Sequence, residues 1–292
     1  MDAWWKKIFR LGLLGLFVWA GICHHRLYAD DSQSRHTATL KSRYITPSDV
    51  HASSGDVAIN ESEFKYEYEF KAFGELPINF SLDVKHTGID DEVVTELPTR
   101  LEHRGLGLGA KFPIPFVDAE NYYMGFDIFP SFNTDDGDLN SSAFRIPFRT
   151  YLIYKPREEF ILVAGISVRP EYDTTVLPVL GLIYKLNDRL SFNLASDDPN
   201  IDYKLTSKTS VFIEFGYAND EYEVTKGGQR GIVLKYQELS SGVGVRRQLN
   251  EHIKATVSVG GVFNRRLEYE EDTGKVVPEP AIYTEAKITG TF

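Results

Sequence analysis

The residues in this sequence whose types and spacing can do chemistry are its regularly placed charges. Lys65, Glu67, Glu69 and Lys71 stand at every second position, and Asp83 and Lys85 repeat that interval. Arg145, Arg149 and Arg169 follow, and Glu214, Lys235, Arg246, Glu285 and Lys287 occupy comparable positions among apolar residues. Charges of both signs on one face either neutralise each other as a salt-bridged filling or line a polar conduit whose opposed charge orients a small polar solute. In the second reading Arg145, Arg149 and Arg169, on neighbouring segments, form a cationic ladder facing carboxylates.

Other chemistries find less support. Nucleophilic catalysis needs a serine within reach of an oriented histidine, and no such signature is present; His86 beside Asp90 and Asp91 is the one candidate for carboxylate-histidine work. The expectation is a protein that is not an enzyme. Gly105-Leu-Gly-Leu-Gly109 is not a nucleotide loop, because no Lys-Ser/Thr follows it, and no cofactor is expected. The acidic stretches Asp90-Asp91-Glu92, Asp135-Asp136-Gly137-Asp138 and Asp197-Asp198 either bind divalent cations, bridge through them to lipopolysaccharide, or are solvated faces. Asp135 to Asp138 lacks the remaining ligands of a calcium loop, and no metal site is assigned. Cys23 is the sole cysteine.

The elements that must position these charges are strands. In 57–73, Phe64, Tyr66, Tyr68, Phe70 and Ala72 alternate with Lys65, Glu67, Glu69 and Lys71, a period of two. A soluble sheet would bury the aromatic face against a second layer, whereas a membrane barrel would turn it to lipid and the charges to the lumen. Leu106, Leu108, Ala110 and Phe112 oppose Gly105, Gly107 and Gly109, where missing side chains leave room or allow a bend. Further strands are expected at 37–45, 78–85, 122–133, 144–154, 160–169, 176–184, 190–194, 201–206, 210–217, 232–249, 253–259 and 281–292, about fourteen in all. The segments 88–100, 221–228 and 265–280 are expected as polar loops. Short turns at 74–77, 155–158, 187–188, 207–208 and 250–251 alternate with longer acidic connections, the asymmetry of a membrane barrel.

Lys6, Lys7 and Arg10 precede an apolar run from Leu11 to Cys23, and Ala29 offers a cleavage point, so 1–29 reads as a secretory signal peptide. The run is short against the roughly 20 apolar residues of a membrane helix. Removing 1–29 takes away four basic residues and one acidic residue, leaving 28 basic against 41 acidic, a net charge of −13. Nucleic acid is excluded as a partner by that charge. No Pro/Ser linker divides 30–292, which is read as one domain.

The last strand resembles the closing strand of bacterial outer-membrane barrels. Ile288, Gly290 and Phe292 share its apolar face and form the expected signal for the barrel-assembly machinery, Gly290 standing where a larger residue is usual. Leu177-Pro-Val-Leu-Gly-Leu-Ile-Tyr-Lys-Leu-Asn-Asp-Arg-Leu190, Pro199-Asn-Ile-Asp-Tyr-Lys-Leu205 and, more loosely, Glu221-Tyr-Glu-Val224 resemble a functionally uncharacterised family of bacterial outer-membrane β-barrel proteins. The resemblance implies an all-β fold, a single antiparallel transmembrane barrel in the outer membrane, and nothing about substrate. The expected role is a pore or binding channel for a small solute. The alternative is a non-transporting structural or adhesive surface barrel, with an outer-membrane hydrolase a more distant third. Lipid, lipopolysaccharide and the assembly machinery are the expected partners.

Overall fold

The computed structural model describes residues 34–51, 54–72, 76–93, 96–114, 121–137, 141–170, 172–195, 197–270 and 274–292. The expected signal peptide and Asp138 lie outside them. Fourteen antiparallel strands, each beside its chain neighbours, close a barrel. They are β1 Arg35–Asp49, β2 Asp56–Ala72, β3 Leu76–Asp91, β4 Arg100–Pro113, β5 Tyr122–Ile128 continuing as Ser131–Thr134, β6 Phe144–Arg145 continuing as Phe148–Arg157, and β7 Phe160–Val168. After these come β8 Val176–Lys185, β9 Leu190–Asn193, β10 Asn200–Lys204, β11 Thr209–Lys226, β12 Gln229–Gln248, β13 Ile253–Tyr269 and β14 Ala281–Thr291. Pro130 and Pro147 interrupt β5 and β6, since proline has no N–H for the ladder. Lys275–Val276 pairs back onto β13 within the last connection.

Closure is made by β1 and β14, in register from Thr37 opposite Thr291 to Ile45 opposite Tyr283. His36 and Phe292 exchange both backbone hydrogen bonds, at 3.0 and 2.9 Å. Every N–H and C=O of such a seam finds a partner, which is the condition hydrocarbon imposes. The end of the barrel holding both termini, here the terminal end, also has tight turns set by local side-chain oxygens. Asn187 Oδ1 accepts from the Arg189 and Leu190 N–H groups (2.9 and 2.8 Å), and Asn250 Oδ1 accepts from those of His252 and Ile253 (2.9 and 2.8 Å).

The long strands change character along their length. Near the terminal end of β11, Ile213, Phe215 and Tyr217 point outward and are exposed; further along, Tyr222 and Val224 point inward and are buried. On β12, Val243 and Val245 are exposed outside while Leu234 and Tyr236 are buried inside. β1 to β4 repeat the switch: Leu40, Phe80, Val84, Leu106 and Leu108 face out, and Ile45, Val57, Ile59, Ile89 and Leu101 face in. On β13 the switch is made by a bulge at Asn264 (φ 52°), where pairing with β12 shifts by one residue; asparagine tolerates the left-handed conformation. Val257 and Val259 before the bulge face out, and Leu267 and Tyr269 beyond it face in.

β11, β12 and β13 are 18, 20 and 17 residues long, against the roughly 9–11 residues of a tilted crossing. The outward apolar belt accounts for the first part of that length. Its edge near the termini carries aromatic pairs, His36 with Tyr68, Tyr122 with Tyr154, Tyr184 with Phe192 and His252 with Phe292, placed as interfacial girdles are. Tyr217, Leu239 and Phe263 form a cross-strand row at the far edge. Beyond it the inward apolar residues merge into one core that includes Ile45, Ile59, Leu101, Tyr222, Leu234, Tyr236 and Leu267. Residues 88–91, 221–226 and 265–269, expected as loop, are strand here and contribute to this distal half. Their apolar side chains are in the phase of a soluble barrel, opposite to that of a lipid-facing one.

The distal half is also narrower. β7 to β10 are only 9, 10, 4 and 5 residues long and stop below it. Above them β5 meets β11 directly and in parallel, Thr134 opposite Glu223. The Asp135 N–H donates to Glu223 O at 3.2 Å, and Asn133 Nδ2 donates to Glu221 O at 3.0 Å.

Candidate functional site: a charged lumen cavity

Inward side chains of the membrane half build a lattice of ion pairs. Lys65 and Glu67 leave β2 two residues apart on the lumen face, with Nζ and Oε1 3.2 Å apart. Arg149 enters from β6; its guanidinium lies over the Phe129 ring at 4.5 Å and its Nε is 3.6 Å from Asp127 Oδ2 on β5. Asp197, from the connection between β9 and β10, joins them: Lys65 Nζ donates to its Oδ2 and Arg149 Nη1 to its Oδ1, both at 3.2 Å. These groups surround a cavity of about 130 Å³ that Glu69, Asn79, Lys111 and Tyr151 also line. That is below the roughly 300–1,000 Å³ of pockets that enclose drug-sized ligands, so it suits a small solute. The glycines of Gly105-Leu-Gly-Leu-Gly109 make the space: a Cβ at Gly107 would run into Ser81 Oγ, and one at Gly109 into Asp127 Oδ1.

The remaining expected lumen residues are spread out. Lys71 is exposed near the terminal end of β2. Glu214 lies inward on β11 and accepts from Tyr283 Oη at 2.7 Å. The three arginines do not share one ladder. Arg145 is buried, donates to Ser142 O and Phe144 O at 2.5 and 3.1 Å, and lies 6.0 Å from the Tyr172 ring. Arg169 lies over the same ring at 4.5 Å and donates to Asn219 O at 2.6 Å. Both arginines therefore tie the β7–β8 connection to the β5–β11 junction. Burial there pushes the Tyr172 hydroxyl up to about 12, so it stays a neutral donor or acceptor between two cations.

Sequence reasoning missed Asp127 and Asp197 as members of the cavity. Asp127 was legible, since it alternates with Phe126 and Ile128, but Asp197 belongs to a connection whose inward fold no periodicity reports. The other two acidic stretches stand apart from this cavity. Asp90 and Asp91 lie in β3, and Asp135 Oδ2 accepts the Thr225 N–H at 2.8 Å. Burial raises the Asp135 carboxyl above the ordinary range. Among the described residues, no three His, Cys, Asp or Glu side chains are grouped to hold a metal. His86 is 4.0 Å from Glu102, on the neighbouring strand.

Along the axis the cavity is followed by a buried ionic seam and then by the distal core. Arg43 Nη1 lies 2.6 Å from Glu238 Oε1 and 3.2 Å from Glu61 Oε2, and Lys85 Nζ lies 2.7 Å from Glu61 Oε1. Residues from β1 to β4 and from β11 to β13 then pack against each other across the interior, so the wall strands themselves close the axis. At the side, the wall is incomplete in its ladder. Among the described residues, Val176 to Gly181 of β8 pair with β7 alone, and β11 above Phe215 has β12 as its ladder partner up to the Thr134 contact. Leu180, beside this notch, is 77% exposed. Pro178 lies on the same open side as Leu182, whose C=O accepts from Leu194 N–H, and so removes one unpaired donor from an edge that faces lipid.

A closed antiparallel barrel with an outward apolar belt, aromatic margins and a charged interior is a transmembrane β-barrel. The sequence profile described as "Domain of unknown function (DUF6268)" matches residues 122–279, and the chain belongs to that family. The Leu177–Leu190 and Pro199–Leu205 segments fall within the match. No curated protein of known function matches the sequence. Among solved structures, the chain is similar to a FadL homologue of Pseudomonas aeruginosa, with a TM-score of 0.50 and 10% identity over 89% of this chain and 90% of that one. An outer-membrane channel of Pseudomonas putida F1 scores 0.48 with 10% identity over 91% and 100%. The Pseudomonas putida toluene transporter TodX scores 0.41 with 10% identity over 90% of each chain.

Proposed function

We propose that this chain is a bacterial outer-membrane barrel that binds a small solute in its charged lumen and passes it across the membrane. The observation that carries the reading is the cavity around which Lys65 and Glu67 of β2, Asp127 of β5, Arg149 of β6 and Asp197 hold charges of both signs. Fixed charges of both signs around one cavity orient a polar solute as it enters. The similarity to a FadL homologue supports the barrel architecture and leaves the solute to be argued from this chain's own residues. The terminal end is assigned to the periplasm, as short turns require, and the distal half to the outer surface, where its polar exterior meets water and lipopolysaccharide. Ile288 and Gly290, on the outward face of β14, and Phe292, directly after it, are assigned as the signal read by the assembly machinery after removal of 1–29. We assign no catalytic residue.

The packed distal core means that the resting barrel conducts little. In planar bilayers the folded protein is expected to give rare, small current steps, and to give larger ones once the lumen charges or the core are altered. A barrel that folds, shown by heat-modifiable gel mobility, yet stays silent in every such variant would favour the second reading. That reading is a structural or adhesive surface barrel, and the core is the observation in its favour.

A further inference from the structure

We propose that the Asp197 and Asp198 carboxylates are built-in occupants of a cationic site, and that the solute which displaces them is a small organic dianion, a dicarboxylate in chemical class. The inference rests on the lumen-binding reading and names its ligand. Asp197 bridges Lys65 of β2 and Arg149 of β6 at 3.2 Å each, and Lys287 Nζ of β14 lies 2.8 Å from Asp198 Oδ2. Two adjacent carboxylates thus engage cations from three strands.

Two of the three cations hold their places without the aspartates. Arg149 is stacked on Phe129 and steered by Asp127, and Lys65 keeps Glu67. The aspartates are the loosely held side of the pairing. Their side chains are 63% exposed against 26%, 31% and 14% for Lys65, Arg149 and Lys287, and such exposed pairs are individually weak. They are carried between the two shortest strands of the wall, of 4 and 5 residues, beside the notch where β8 and β11 leave the ladder open. A ligand with two carboxylates meets the same donors with the same charge, and Arg149 offers a planar fork suited to a carboxylate. A ligand with one carboxylate leaves either the Lys65–Arg149 pair or Lys287 without the partner the aspartates supplied, and the second carboxylate, at Lys287, is what makes the exchange favourable.

The test is isothermal titration of the full folded protein in detergent with succinate, with inorganic phosphate and glucose as comparison probes. An internal occupant lowers apparent affinity by the fraction of time the site is free, so D197N/D198N is expected to bind succinate at least about tenfold more tightly than the parent if the loop is docked about nine-tenths of the time. Adding K65Q and R149Q is expected to abolish that gain. A gain for phosphate equal to that for succinate would overturn the dicarboxylate assignment. Unchanged succinate affinity in a D197N/D198N protein that keeps its heat-modifiable mobility would overturn the proposal entirely, as would an equal gain for glucose. If the gain appears but no variant carries succinate into proteoliposomes, the site stands and the passage reading falls.

Discussion

The membrane half and the distal half are built from the same strands, and they are inside out with respect to one another. On β11, Ile213 and Phe215 face lipid, while Tyr222 and Val224, in the opposite phase, face a packed interior. Correspondingly, the interior holds Lys65, Arg149 and Asp197 in one half and Ile59, Leu234 and Leu267 in the other. The difference teaches that a strand has no intrinsic inside. Apolar side chains go wherever water is absent, which is outward within the bilayer and inward beyond it.

The comparison is broken most severely at the seam between the halves. Removing Arg43 leaves Glu238 and Glu61 buried without their shared cation, so Arg43→Met is expected to cost about 3–5 kcal/mol, read by urea unfolding in detergent. A loss under 1 kcal/mol would mean that water reaches the seam. Next comes the core: Leu234→Ala is expected to cost about 2–5 kcal/mol and to raise conductance, because the plug is the wall itself. Unchanged current with unchanged stability would show that the distal interior is not packed.

A sharper contrast uses one substitution on one face of one strand. Ile213→Arg, set toward lipid, is expected to cost about 2–4 kcal/mol near the bilayer midplane, whereas Thr225→Arg, further along the outer face of β11, is expected to change stability by no more than about 0.5 kcal/mol. Equal penalties would place both positions in the same solvent and remove the boundary. A modest effect belongs to the lumen. Lys65→Gln is expected to cost at most about 1 kcal/mol, yet to shift ion selectivity toward cations in reversal-potential measurements. A purely structural lysine would leave selectivity where it was.

The strand period, the number of strands, the tight turns at the terminal end and the alternation that sets Lys65, Glu67 and Arg149 opposite apolar residues are all legible without coordinates. Each follows from a local rule: alternation of side chains, turn chemistry at Asn187 and Asn250, and charge opposite apolar residues. Reading 88–91, 221–226 and 265–269 as loop failed for a physical reason. Ile89, Tyr222, Val224 and Leu267 have the alternation of strands, but in a phase that contradicts a single lipid-facing pattern.

What the sequence determined by itself is therefore the list of strands and which residues share a face, because both come from a period of two along the chain. Only the tertiary structure decided which face is inside at each height, that β5 bypasses five strands to meet β11, that Arg145 and Arg169 close a junction while Arg149 lines a cavity, and that Asp197 folds inward to join it. Those outcomes depend on strand length relative to membrane thickness and on contacts between residues far apart in the chain, which local alternation does not encode.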